Sequence, residues 1–353
     1  MALSESAGHI NGKLKVLTFG AGAIGTYIGG SLLRSGQEAV FLEQPAVAED
    51  LRNRGLRLEV EGQGHTISSP IIAASLSKAL EHPPFDVAIF ALKSFDTAAV
   101  LESLTPYKEA LPPILCLQNG VENETLMAAE LGEDKVIAGT VTSSIGRVAA
   151  GVIVLERQRG IGIAGGHPLS ERLAAAFNQA RLNAHVYRHP QGMKWSKMLT
   201  NLLANATSAI LDMPPAEIFA HHGLYNLEIR QLREALAVMQ AADIPVIDLP
   251  KTPVRLLAFA VLALPEKFSR PLLMRAVGGG RGGKMPSFHI DLHSGRGKSE
   301  VDYLNGAVVR FGERLGVPTP VNSLLNETVQ ALASGELPME TFARQPEKLL
   351  MSL

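Results

Sequence analysis

The chain has 353 residues, 46% of them hydrophobic and 19% charged, with 33 glycines and a formal net charge of −1. Such a length exceeds what one hydrophobic core serves, so two domains are expected, and the composition argues against extensive disorder. The balanced charge, with no Lys/Arg-dense block, leaves no electrostatic footprint for a nucleic-acid partner, and the single cysteine, Cys116 in PPILCL, cannot form an internal disulfide.

In chain order, the first dozen residues, MALSESAGHING, are small and polar, without the basic start and apolar centre of a secretory signal, and read as a loose leader. A cytoplasmic protein is expected, with Cys116 a buried structural thiol. From Leu14, short apolar runs alternate with helical segments: LKVLTF, a helix to Arg34, EAVFL, FDVAIFALK, PILCLQNG and KVIAGTVTSS. This is the rhythm of parallel βαβ units. Between the second and third of these strands, LRLEV and HTISSPII flank a glycine turn and read as a hairpin excursion. GVIVLE, GIGIAG and AHVYR extend the strand-rich half to about Arg188.

After His189-Pro190 the pattern changes to helical spacing, as in MKWSKMLTNLLANATSAIL and EVDYLNGAVVRFGERLG. The fold class expected is α/β: a Rossmann-type parallel-sheet domain over residues 14–189, then an all-α domain over 190–353. LLAFAVLAL, Leu256 to Leu264, is about half the roughly 20 residues a membrane helix needs, and reads as a buried helix or, second, an oligomer interface. No membrane partner is expected; a homodimer is compatible with the abundance of apolar helix. VGGGRGGKM at 277–285 has the opening glycine spacing of a phosphate loop, but Met285 stands where Ser or Thr is required, and it reads as a mobile loop.

The strongest motif is KVLTFGAGAIGTYIGG. In Gly20-Ala21-Gly22-Ala23-Ile24-Gly25, Gly20 is expected to allow the tight turn, Gly22 to let backbone approach a pyrophosphate, and Gly25 to let helix pack on strand. The helix start then offers amide donors and a positive dipole to phosphates. A nicotinamide dinucleotide is the expected cofactor. Glu43, followed by Gln44 at the end of the second strand, stands where an acid accepts from a ribose 2′-hydroxyl, which favours NADH; Arg52 or Arg54 meeting a 2′-phosphate is the alternative. The later GIGIAGG repeats the letters without the context and reads as strand and turn.

Ligands of open parallel sheets lie beyond the carboxyl ends of the strands, where Lys93 and Asn119 follow successive strands. Lys93 is read as a partner of cofactor phosphate, and Asn119 as a hydrogen-bonding partner of ribose, nicotinamide or substrate. In the helical half, Lys197, Asn201 and Asn205 recur at i, i+4 and i+8 and read as one polar row on a mostly apolar helix. Ketone reduction by hydride forms an alkoxide that needs a proton and a nearby positive charge, both of which a lysine supplies. Lys194, one turn earlier, competes with Lys197, and buried structural roles for the whole row are the bland alternative. No metal ligand set is expected.

These pieces, FGAGAIGTYIGG, ALKSFDT, LQNGVEN, KWSKMLTNLLAN, PSFHID and SEVDYLNGAVVRFGERLGVPTPVN, in order from about Lys15 to Asn322, resemble the ketopantoate reductases (2-dehydropantoate 2-reductases). The resemblance implies reduction of 2-dehydropantoate, a small keto acid, with NADPH as cofactor. It implies Lys197 as proton donor, Asn201, Asn205 and Ser287 as substrate contacts, Glu300 as the active-site glutamate, and Lys93 and Asn119 as residues touching the cofactor. Glu300 has its own reading as an acid in a first helical turn, or as the group that faces Lys197 and keeps it charged. The chain departs from the pattern at Glu43-Gln44, where many relatives carry a basic residue, at Pro215 in place of a further asparagine, in one extra residue between Asp291 and Glu300, and in a longer 246–285 segment. A reductase of another small 2-keto acid and a non-catalytic dinucleotide sensor are the alternatives.

Overall fold

The computed structural model of the protein describes residues 12–281, 285–295 and 297–353. The leader up to Asn11 and Gly282–Lys284 of the phosphate-loop look-alike lie outside the described residues. Among the described residues the strands are β1 (Lys15–Phe19), β2 (Glu38–Leu42), β3 (Leu56–Val60), β4 (Gln63–Ile67), β5 (Ile71–Ala73), β6 (Val87–Phe90), β7 (Ile114–Cys116), β8 (Val136–Val141), β9 (Ser144–Ala149), β10 (Val152–Arg157), β11 (Ile161–Ala164) and β12 (Ala184–Tyr187). The helices are α1 (Ala23–Arg34), α2 (Pro45–Arg54), α3 (Leu76–Ala79), α4 (Thr97–Leu104), α5 (Asn123–Leu131), α6 (Ser170–Gln179), α7 (Pro190–Leu202), α8 (Asn205–Leu211), α9 (Pro215–Ala220), α10 (His222–Ala241), α11 (Val254–Leu262), α12 (Glu266–Arg281), α13 (Ser287–Leu292), α14 (Val301–Leu315), α15 (Pro320–Ser334) and α16 (Pro346–Leu350). Two compact units result, one of residues up to Leu92 with Pro106–Leu117 and Leu131–Arg188, the other of Lys93–Thr105, Gln118–Glu130 and His189–Leu353.

The first unit is a Rossmann-type α/β domain. Its main sheet has the order β12-β11-β8-β7-β6-β1-β2-β5, parallel except where β11 runs against β8. β1 pairs with β2 on one side and β6 on the other, so the strand order reverses at β1 and opens a crevice beyond its carboxyl end. The apolar runs become central strands because both faces are covered: Val16, Leu17, Phe41, Ile89 and Leu115 are all buried. Cys116 is buried among them.

β3 and β4 form the expected hairpin, closed by Glu61 and Gly62 at φ 54° and 74°, the left-handed pair a two-residue turn requires. They belong to a second sheet, β4-β3-β10-β9. β9, SIGRVA, is absent from the expectations because it is a half-exposed edge with a glycine and an arginine and shows no apolar alternation. GIGIAGG is strand β11 followed by a turn, as read.

The second unit is helical, and three expectations change in it. MKWSKMLTNLLANATSAIL is two helices, since α7 stops at Leu202 and α8 starts at Asn205, with Ala204 left-handed at φ 50°. LLAFAVLAL is not a buried helix: α11 buries Val254, Ala258, Ala260 and Val261 but exposes Leu256, Phe259 and Leu262 by about half each (49%, 54% and 59%). Residues 278–281 complete α12 and are not loop. Among the described residues no helix is long and apolar enough to cross a membrane.

Candidate functional site

The turn after β1 has the conformation its glycines predict. Gly20 lies at φ 85°, a left-handed value that L side chains rarely adopt. A Cβ on Gly25 would collide with the Gly20 carbonyl and come within 2.9 Å of the Thr18 methyl, so only glycine lets α1 pack this closely on β1. A Cβ on Gly22 would meet nothing within 4 Å: it faces open space at the start of α1, which has no side-chain cap and no acid in its first turn. Ala21, Ala23 and Ile24 complete a backbone turn of the kind that fits a pyrophosphate, whose oxygens would take the amides at the start of α1 that no side chain caps.

Glu43 is directed onto this turn. Its Oε1 accepts from Ala21 N and its Oε2 from Gln44 N at 3.2 Å, so the acid assigned to a ribose hydroxyl braces the turn itself. Gln44 is the exposed N-cap of α2. The two alternative phosphate cations are otherwise engaged: Arg52 donates to Ile72 O through Nε (3.0 Å) and Nη2 (2.8 Å), and Arg54 donates to Asp50 (2.7 Å) and to Ala150 O.

The remaining candidates fall within the helical unit and gather into pairs. On α7, Lys197 is half-buried, one turn before Asn201, whose Nδ2 donates to Asn119 Oδ1 at 2.9 Å. Lys194 is 5% exposed, with Nζ 2.6 Å from Gln118 O and 2.7 Å from Glu124 Oε1, and ties α7 down. Asn205 does not continue the row on α7. It opens α8, where Nδ2 donates to Ser287 Oγ at 3.1 Å and Oδ1 accepts from Phe288 N at 3.0 Å, joining α8 to α13.

The break between α7 and α8 has an identifiable cause. Glu228 on α10 is fully buried; Oε2 accepts from Ala204 N (2.8 Å) and Oε1 from Thr207 Oγ1 (2.7 Å), while Gln231 Nε2 lies 3.2 Å from both Glu228 Oε2 and Leu202 O. These side chains satisfy backbone groups that an uninterrupted helix would have paired internally. The network runs on through Asn305, whose Nδ2 donates to Gln231 Oε1 (2.8 Å) and Asn322 Oδ1 (3.0 Å). Residues 228 and 231 were missed, although polar residues three apart on the buried face of an otherwise apolar helix are a readable signal.

Lys93 does not present a free ammonium to a phosphate. Its Nζ donates to Asp291 Oδ2 (2.9 Å) and Glu300 Oε2 (3.0 Å). Burial pulls the lysine pKa down, but the charges of Glu300 and Asp291 outweigh it and hold the pKa above the ordinary lysine value. Glu300, 2% exposed, is the N-cap of α14 and not part of its first turn, and its other oxygen accepts from Ser94 N at 3.1 Å. Ser94 Oγ lies 3.1 Å from both Glu300 Oε1 and Asn119 O. The glutamate thus faces Lys93 and Ser94, and through Ser94 the Asn119 carbonyl. Asp291 and Ser94 were also missed: each lies inside a quoted motif, PSFHID or ALKSFDT, yet neither spacing brings them to Glu300 in the sequence.

The sequence model of the ketopantoate reductase PanE/ApbA family matches residues 16–165, and that of its C-terminal part matches residues 190–333. The chain is similar to the 2-dehydropantoate 2-reductases of Pyrococcus horikoshii (26% identity, covering 91% of this chain and 98% of the relative) and Halobacterium salinarum (26%, 90% and 98%). Among solved structures, a PanE/ApbA family ketopantoate reductase from Ralstonia eutropha has a TM-score of 0.77 at 27% identity, covering 92% of this chain and 99% of that one. D-mandelate dehydrogenase with NADH and anilino(oxo)acetate has a TM-score of 0.73 at 21% identity, covering 91% and 99%, a likeness of fold alone. With most of its length matched in both parts, the chain belongs to the ketopantoate reductase family and is an oxidoreductase.

Proposed function

We propose that the protein reduces 2-dehydropantoate to pantoate, with Lys197 as the proton donor. Gly20 to Gly25 would hold a reduced nicotinamide dinucleotide, which would provide the hydride for the keto carbon. The Lys197 ammonium gives its proton to the keto oxygen as the carbonyl bond opens, so a secondary alcohol forms and the amine regains a proton from water. Its positive charge also opposes the negative charge growing on that oxygen. Asn201 and Asn119 offer amide donors and acceptors to the substrate, and Asn205 with Ser287 supplies a second polar pair for its carboxylate or hydroxyl. Glu300 is a positioning residue in this reading: through Ser94 it fixes the backbone that carries Asn119.

The observation that carries the proposal is the place of Lys197 on α7: it is half-buried, one turn before Asn201, which is itself bonded to Asn119. Membership of an enzyme family sets aside the non-catalytic sensor. Glu43, with Gln44 beside it, supports NADH over NADPH, because the carboxylate would repel a 2′-phosphate. Pro215, buried at the start of α9 and without a side-chain donor, favours a second reading, a related 2-keto acid lacking the 4-hydroxyl.

A side-by-side titration with NADH and NADPH, followed by a panel of 2-keto acids, tests the cofactor and the substrate. The expected outcome is tighter NADH binding and the highest kcat/KM with 2-dehydropantoate. No turnover of that acid under either cofactor refutes the substrate assignment, and a higher kcat/KM for an acid without the hydroxyl selects the second reading.

A further inference from the structure

Three ligand-type side chains meet at the surface where α8 ends against α13. Asp212, left-handed at φ 48°, closes α8. His289 on α13 and His293 at its C-cap are four residues apart, with rings stacked at 4.0 Å and 21°. His289 Nε2 lies 2.8 Å from Asp212 Oδ1, and one ligand atom from each of the three residues falls within 4.8 Å of the others. His293 Nδ1 donates to His289 O at 2.9 Å, which fixes the tautomer with the lone pair on Nε2. An imidazole anchored through one nitrogen to a backbone carbonyl, with the other turned out, is the usual arrangement of a metal-ligating histidine.

We infer that Asp212, His289 and His293 form a binding site for a divalent transition ion of the zinc type, completed by water. Two imidazole nitrogens and one carboxylate oxygen suit such an ion and do not suit magnesium or calcium, which prefer oxygen throughout. Ligands about 2.1 Å from a tetrahedral ion stand about 3.4 Å apart. Asp212, 55% exposed, and the exposed His293 can rotate toward that spacing around His289, which is 14% exposed and held by α13. The ligands were invisible in the sequence because Asp212 lies 77 residues from His289. Once bound, the ion staples the end of α8 to α13, the helices that carry Asn205 and Ser287; any effect of the staple on substrate affinity rests on the function proposed for that pair.

The test is isothermal titration of the chelator-stripped full chain with zinc chloride and, separately, magnesium chloride, in the absence of substrate and cofactor. Its result is therefore independent of the reductase reading. One saturable equivalent of zinc and no magnesium binding are expected, with zinc affinity reduced at least about tenfold in both His293→Ala and Asp212→Asn. Both residues are exposed, and asparagine tolerates the left-handed conformation at 212, so neither variant removes core packing. Absence of saturable zinc binding, or unchanged affinity in either variant, overturns the site.

Discussion

Replacing Glu228 by alanine probes the device that ends α7 and starts α8. The carboxylate is 0% exposed and accepts from Ala204 N, Thr207 Oγ1 and Gln231 Nε2 at 2.8, 2.7 and 3.2 Å. Gln231 keeps a partner in Leu202 O, so two buried donors are orphaned by the truncation. At about 1–3 kcal/mol each, the expected loss is about 2–6 kcal/mol of unfolding free energy. Glu228→Gln keeps the shape but turns an amide donor toward one of the two donors, and about 1–3 kcal/mol is expected. Urea unfolding followed by far-UV circular dichroism measures both. Because Asn205 opens the helix that Glu228 positions, the glutamine variant is also expected to raise KM for the keto acid more than it lowers kcat. An alanine variant destabilised by less than about 1 kcal/mol would refute the argument that the buried carboxylate holds the break.

Other perturbations have equally definite outcomes. Gly25→Ala drives a Cβ into the Gly20 carbonyl, and it is expected to cost about 1–3 kcal/mol in urea unfolding and to weaken dinucleotide binding by at least about tenfold; unaltered binding by fluorescence titration contradicts this role of the turn. Glu43→Ala removes the carboxylate beside the turn, so affinity for NADPH relative to NADH rises; an unchanged ratio shows that Glu43 does not select the cofactor. The Lys93 ammonium binds its proton more tightly in the folded chain than in the unfolded one, so its contribution to stability is complete below the ordinary lysine value of 10.5 and is lost as pH rises from there through the higher folded value. Urea midpoints measured across that alkaline window fall in the wild type and fall less in Lys93→Met; equal slopes remove the ion triad as the cause.

Local pattern made the α/β half readable. β1, the turn and α1 announce themselves because three glycines with different mechanical duties occur at fixed offsets, and the central strands because burial on both faces makes them continuously apolar. The edge strand β9 lacks that signature, since pairing with β10 rather than side-chain burial holds it. In the helical half, the periodicity from Lys197 to Asn205 is real, but a helical repeat carries no information about a backbone interruption whose cause, Glu228, lies 24 residues from Ala204. Glu43, Lys93 and Glu300 were recognised by position, yet their partners were not. Ala21 N, Asp291 and Ser94 are 22, 198 and 206 residues away from them respectively, and carboxylates and ammoniums find the nearest buried complement in space rather than in sequence.

The central claim is that Lys197 delivers the proton, and steady-state oxidation of NADH driven by 2-dehydropantoate, compared between the wild type and Lys197→Ala, tests it most directly. General acid catalysis contributes about 10²–10⁴-fold, so kcat is expected to fall by at least about a hundredfold while the dissociation constant for the dinucleotide stays unchanged. Turnover in the alanine variant within a few-fold of the wild type would contradict the account.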